Sequence, residues 1–179
     1  MRMFCVWLCG AATVLTFSGC EEKIRPAVLP ALDSRTLPSQ ESWKSDIIIS
    51  DSGKVKALIN AGYLRTYDDK RTTLLTEGMV VYFFDERGQQ TSVLTSEEGK
   101  VDEYTNNLEA QRNVVVTSND QTTLKTQKLF WDNRRALIHT PEFVQITTPK
   151  ERLQGHGFES EQNLKNYRIF RVTGQAKTD

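Results

Sequence analysis

Residues 94–116, LTSEEGKVDEYTNNLEAQRNVVV, and residues 124–146, LKTQKLFWDNRRALIHTPEFVQI, are two copies of one pattern. Set thirty apart, Leu94 meets Leu124, Val101-Asp102 meets Trp131-Asp132, and Leu108 meets Ile138. Val114 and Val116 meet Val144 and Ile146. Each copy reads as strand, turn opening at Asp, strand, turn, strand, because short runs of β-branched and aromatic residues are bounded by Asn, Asp and Gly. At an offset of thirty-four a third copy appears. There Tyr67-Asp68, Leu74 and Val80 meet Val101-Asp102, Leu108 and Val114. Leu153 to Val172 forms a partial fourth. Units repeating at this period bury their apolar faces by stacking on one another.

The same alternation continues on both sides. Ile47-Ile48-Ile49, Val80 to Phe84, Val114 to Thr117 and Phe143 to Ile146 are further strand-like runs, and no helical stripe is found from Trp43 onward. The fold class is therefore all-β. Because side chains alternate between faces along a strand, the repeat also predicts a register. Val80, Tyr82, Phe84, Leu74, Val101, Leu108, Val114, Val116, Trp131 and Ile138 are expected to point inward, with His139 and Gln145 outside. A stack of hairpins with one apolar face needs a second sheet to cover it. The expected architecture is a two-sheet stack of repeated antiparallel hairpins, either a twisted open β jelly roll or a β-helix. The inward aromatic residues serve as core or as the wall of a trough for an acyl ligand.

The N-terminus reads differently. Met1-Arg2-Met3 carries one positive charge, Phe4 to Phe17 is almost wholly apolar, and Ser18-Gly19 precede Cys20. That is the plan of a secretory signal, with an apolar stretch too short to span a bilayer comfortably. Phe17-Ser18-Gly19-Cys20 resembles a bacterial lipobox, with Phe17 where Leu is usual. Residues 1–19 are thus expected to be a lipoprotein signal peptide and Cys20 a lipidated N-terminus. Each buried methylene of its acyl chains contributes roughly 0.8 kcal/mol of anchoring. Pro26, Pro30 and Pro38 make residues 20–42 an extended tether. The domain is expected over 43–172, with a tail at 173–179.

Composition excludes several functions. The 179 residues carry 23 basic and 23 acidic side chains, so no basic field advertises nucleic acid. All three cysteines, Cys5, Cys9 and Cys20, precede the domain, which rules out a disulfide or thiolate framework within it. Asp68, Asp102 and Asp132 recur one per repeat. They form a ladder rather than a converging pair and read as turn starters. His139 and His156 have no second ligand at metal spacing. Gly155-His156-Gly157 marks a bulge or a close backbone approach. No catalytic constellation, metal site or cofactor motif is present, and an enzyme is not expected.

Three stretches carry a resemblance that covers residues 43–172. These are Ile47-Ile48-Ile49-Ser50-Asp51-Ser52-Gly53 with Lys54 to Gly62, then Leu108 to Val116, then Leu153 to Ser160 followed by Leu164 and Tyr167-Arg168-Ile169. Together they resemble the periplasmic LptC family of the lipopolysaccharide export machine. In the second stretch Arg112 stands where the family commonly has Gly. Many members carry an N-terminal transmembrane helix, where this chain has a lipobox.

The resemblance implies an open β jelly roll of the OstA/LptA-like kind. It would take lipopolysaccharide from an inner-membrane ABC transporter's permeases and hand it to a soluble LptA-like bridge protein. Phe84 and Tyr167 fall where the family lines its lipid trough. An open jelly roll leaves unpaired strand edges that recruit a neighbour's strand. Tyr167, Ile169 and the chain to Val172 are expected to meet the bridge protein. Trp43, Ile47 and Ile49 are expected to meet the transporter. The expected location is the periplasmic face of the cell membrane, lipid-anchored, with the inner membrane favoured over the outer. Competing readings are a bridge-type or outer-membrane-assembly lipoprotein of the same fold, a structural envelope lipoprotein without lipid ligand, and a β-helix enzyme acting on polysaccharide.

Overall fold

A computed structural model describes residues 37–177. The signal, Cys20 and most of the expected tether lie outside these residues. The described chain is a single antiparallel sheet of ten strands. In chain order they are β1 (Gln40–Asp51), β2 (Lys54–Tyr67), β3 (Thr72–Phe84), β4 (Gln90–Ser96) and β5 (Glu98–Asp102). Then follow β6 (Asn107–Ser118), β7 (Thr123–Asp132), β8 (Leu137–Thr147), β9 (Glu151–Glu161) and β10 (Tyr167–Lys177). The spatial order is β1-β2-β3-β4-β6-β7-β8-β9-β10, with β5 continuing the line of β4 between β3 and β6. Every pairing is antiparallel, which selects the jelly roll and removes the β-helix. Two boundaries differ from expectation. Ser39 already donates to the Thr66 carbonyl at 2.8 Å, and β10 runs on to Lys177.

Near mid-length the strands break their alternation in register with one another. The breaks fall at Lys44 in β1, Gly62 in β2, Glu77-Gly78 in β3, and Glu97 between β4 and β5. They continue at Arg112-Asn113 in β6, Gln127 in β7, Pro141-Glu142 in β8 and Gly157 in β9. Lys44, Glu77, Gly78, Arg112, Asn113 and Gly157 all have positive φ. Bulges of this kind bend a strand. Gly62 is required at its break, because a Cβ there would sit 2.4 Å from the Glu77 carbonyl oxygen.

The aligned bulges double the sheet over on itself, so that the two halves of each strand face one another. One half contributes a cross-strand row of Ile47, Ile59, Val81, Leu94, Val116, Leu124, Ile146 and Leu153. The other contributes Thr66, Thr73, Val101, Leu108, Trp131, Ile138, Ser160 and Tyr167. Phe83 and Trp131, from opposite halves, meet at 5.2 Å between ring centroids. Rows of directly opposed apolar side chains are the unit from which such a core gains its stability.

The repeat predicts this core correctly for β5 to β8 and fails by one residue in β3. Val101, Leu108, Val114, Val116, Trp131 and Ile138 are buried. Leu74, Val80, Tyr82 and Phe84 stand half-buried on the opposite face, while Leu75, Met79, Val81 and Phe83 point in. The true offset is thirty-five. Arg71, Asn106 and Ala136, each left-handed at φ 46°, 56° and 52°, close equivalent turns. Tyr67, not Asp68, is thus the counterpart of Asp102. Matching the two aspartates by chemistry slips the register by one, and a slip of one turns every side chain to the other face.

Candidate functional site

The inner face is filled across most of its width. Val114, Val116, Trp131 and Ile138 are between 0 and 2 % exposed and pack against one another, leaving no room for a ligand while the halves stay together. One corner is closed by Gln162, in the turn between β9 and β10. Its amide oxygen accepts from Trp131 Nε1 at 3.2 Å, and its Nε2 donates to the Phe84 carbonyl at 2.8 Å. Ser92 Oγ donates to the Gln162 carbonyl at 2.5 Å, and the Gln162 N–H reaches the Ala136 carbonyl. One buried amide residue thereby ties β3, β4, β7 and two turns together. Leu164 seals the same corner and is buried.

The corner beside β1 is open. A groove of about 530 Å³ runs onto the inner face, walled by Ser42, Ser45, Ile47, Leu64, Thr73 and Val101. Its cause is compositional. In this stretch the inner positions carry Ser42, Ser45, Thr66 and Thr73, where the two facing rows are elsewhere apolar except at Ser160. The hydroxyls satisfy one another rather than filling space. Ser42 and Ser45 share a hydrogen bond at 2.5 Å, Thr66 and Thr73 share one at 3.0 Å, and Thr73 donates to Glu103 at 2.7 Å. Gln40, Glu103 and Asn106 form a polar rim. The volume lies in the range of small-molecule clefts, with Ile47, Leu64 and Val101 as apolar patches among hydroxyl, amide and carboxylate groups.

Both outermost strands have one edge without a neighbouring strand among the described residues, and most of their side chains are exposed. Ile47 on β1, Leu153 on β9, and Tyr167 and Ile169 on β10 are only partly buried against the core. Burial raises the Tyr167 phenol above its ordinary pKa, and the charge of nearby Glu151 adds to the shift. The edges differ in charge. Glu41, Asp46 and Asp51 outnumber Lys44 on β1, whereas β10 carries Arg168, Arg171 and Lys177 with no acid.

Of the predicted trough residues, Val101 lines the groove and Tyr167 stands at the half-open β10 margin. Val114, Val116, Trp131 and Ile138 are interior packing. Val80, Tyr82 and Phe84 belong to the other face, which corrects the predicted register. Among the predicted edge residues, Ile49 is buried, Ile47 and Ile169 are half-buried, and Trp43 lies outside against Tyr63 at 5.0 Å. Sequence reasoning missed the Ser42, Ser45, Thr66 and Thr73 set and Gln162. An alternation of small hydroxyl residues at inner positions was the available signal for the first. The second had none, because its partners are distant in sequence.

The aspartates do turn work. Asp102 Oδ1 accepts from the Tyr104 and Thr105 N–H groups at 3.1 and 2.8 Å, and from the Thr105 hydroxyl. The Thr105 N–H foremost holds its carboxyl below the ordinary pKa. Asp132 accepts from the Arg135 N–H at 3.0 Å. Asp68 instead accepts from Ser39 Oγ. His139 stacks on Phe130, and His156 sits edge-on to Phe143. Among the described residues no three His, Cys, Asp or Glu side chains gather to hold a metal, and no helix is long and apolar enough to cross a membrane.

A family model described as lipopolysaccharide-assembly, LptC-related, matches residues 36–177. The chain belongs to the LptC-related family. In this LptC-related chain Arg112 has a φ of 62°, the conformation glycine adopts most cheaply, and its guanidinium pairs with Glu97 and Glu98. Membership supports a role in moving lipopolysaccharide across the periplasm. A search of curated proteins finds no match. Among solved structures, the chain is similar to LptH, the LptA-homologous periplasmic component of the lipopolysaccharide transport device of Pseudomonas aeruginosa. The identity is 13 %, over 78 % of this chain and 87 % of that one, with a TM-score of 0.29. That superposition is too loose to bear on this LptC-related chain's site.

Proposed function

We propose that this chain receives lipopolysaccharide from an inner-membrane ABC transporter and passes it to a periplasmic bridge protein of the same fold. The hydrocarbon tails would be sheltered in the open corner beside β1. The observation that carries this reading is the groove onto the inner face between Ser42, Ser45, Ile47, Leu64 and Val101. Shielding acyl surface from water is worth about 25 cal/mol per Å². A wide groove of weak contacts releases its load more readily than a tight polar site. The fully packed interior beyond Val101 is then the floor of the route rather than its length.

Anchoring by acylated Cys20 on the periplasmic face of the inner membrane fits this role. The basic β10 edge favours addition of an acidic strand from the bridge protein. The acidic β1 edge and exposed Trp43 are left for the transporter. The test is photo-crosslinking in cells making lipopolysaccharide, with the probe at Ser45, at Phe84 or at His139. Adducts are expected at Ser45 and not at the two outward positions. Labelling confined to Phe84 or His139 would reject the groove as the route.

A further inference from the structure

The opposite side of the sheet carries a second groove that the acyl route leaves unused. It lies over β6, β7 and β8, where the Arg112-Asn113 bulge and the register shifts beside it spread the strands. Its volume is about 480 Å³, and Asn113, Lys125, Gln127, Glu142, Phe143 and Gln145 line it. Lys125 and Gln145 are cross-strand partners pointing away from the core. Phe143 is 38 % exposed, and its ring is braced by His156 at 5.3 Å between centroids. The groove therefore has a fixed aromatic surface, flanked by Val114 and Val115, in a wall that also carries several polar side chains.

The polar groups are available. Asn113 is committed, its side-chain amide bonding Glu97. The Gln127 oxygen accepts only a long contact of 3.5 Å from the Asn113 N–H, leaving its amide donors open. The Lys125 ammonium, the Glu142 carboxylate and the Gln145 amide have no hydrogen-bond or ion-pair partner among the described residues.

We propose that this outer groove binds carbohydrate. Sugar hydroxyls both donate and accept, which suits amides and a carboxylate side by side. The apolar C–H face of a pyranose packs on an aromatic ring. Other ligand classes fit less well. An acyl chain would bury the unpartnered Lys125, Glu142 and Gln145 groups against hydrocarbon with no hydrogen bond in return. A phosphate would need unopposed cations, and the single lysine here shares the groove with Glu142. The inference does not depend on the acyl route, since the two grooves lie on opposite faces. Two glycan sources share this chemistry: the sugar portion of lipopolysaccharide, and the N-acetylhexosamine backbone of the cell wall.

The experiment is an NMR titration of the full-length chain in detergent with two probes, de-acylated lipopolysaccharide oligosaccharide and an N-acetylglucosamine tetramer. Saturable shifts centred on Gln127, Phe143 and Gln145 are expected with at least one probe, and which probe causes them identifies the source. Phe143→Ala and, separately, the fully outward Gln145→Ala should each weaken binding at least tenfold while leaving crosslinking at Ser45 unchanged. No shift with either probe, shifts mapping elsewhere, or undiminished binding by both variants would overturn the proposal.

Discussion

Two corners of the same folded sheet have opposite characters. At one, Gln162 threads hydrogen bonds to Trp131, Phe84, Ser92 and Ala136, and Leu164 fills what remains. At the other, Ser42, Ser45, Thr66 and Thr73 bond among themselves and leave about 530 Å³ unfilled. Both corners use polar side chains at inner positions. The difference lies in where the bonds go. A buried amide that bonds across strands and turns closes the stack. Short hydroxyls that bond to near neighbours on the same or an adjacent strand leave it ajar. Inward polarity alone therefore says nothing about openness until the partners are known.

The largest expected effect comes from breaking the closed corner. Trp131→Ala removes a fully buried ring that packs on Phe83 and orphans the Gln162 amide oxygen. Large-to-small changes of this type cost about 3–5 kcal/mol, so denaturant unfolding should show a midpoint shift of that size. A loss below about 1 kcal/mol would mean that the corner does not hold the halves together.

Gln162→Leu is milder. It keeps the backbone carbonyl that Ser92 uses, but leaves the indole N–H and the Phe84 carbonyl unpaired. Stranding buried groups costs about 1–3 kcal/mol, again readable by chemical denaturation. If this variant proves as stable as the parent, the closure is apolar in origin and Leu164 carries it.

The smallest effect on stability is expected at the open corner. Ser45→Phe should fill the groove with a change in unfolding free energy within about 1 kcal/mol, because the side chain has space to occupy. Binding of an acylated probe should nevertheless fall by at least about tenfold, equivalent to about 1.4 kcal/mol. Retained binding would show that the void is incidental.

Much of the fold was legible because β6 to β8 repeat with one spacing, so Leu108 predicted Ile138 and Val116 predicted Ile146. In β3 the same logic went astray on Asp68. An aspartate near a turn looked like its counterparts, whereas backbone geometry made Tyr67 the equivalent position. Turn residues can change identity more freely than the left-handed residue that closes the turn. Aligning Arg71, Asn106 and Ala136 would have put Val81 and Phe83 inside. The site was less legible still. The groove at β1 depends on small hydroxyl side chains failing to fill space, and Gln162 depends on partners up to 78 residues away. Neither has a local pattern.

The aligned bulges have a mechanical consequence. Nearly every strand crosses the fold line with its own bent or left-handed residue. Glu97 stitches the line further by accepting from the Gly78 N–H and donating to the Arg112 carbonyl. The spine of the book is thus sewn page by page, with no single hinge to work. Any widening of the proposed route would fall to the outermost strands, β1 and β10, each paired along one edge alone and each proposed above as a docking edge. On that proposal, loading and docking would draw on the same two ribbons.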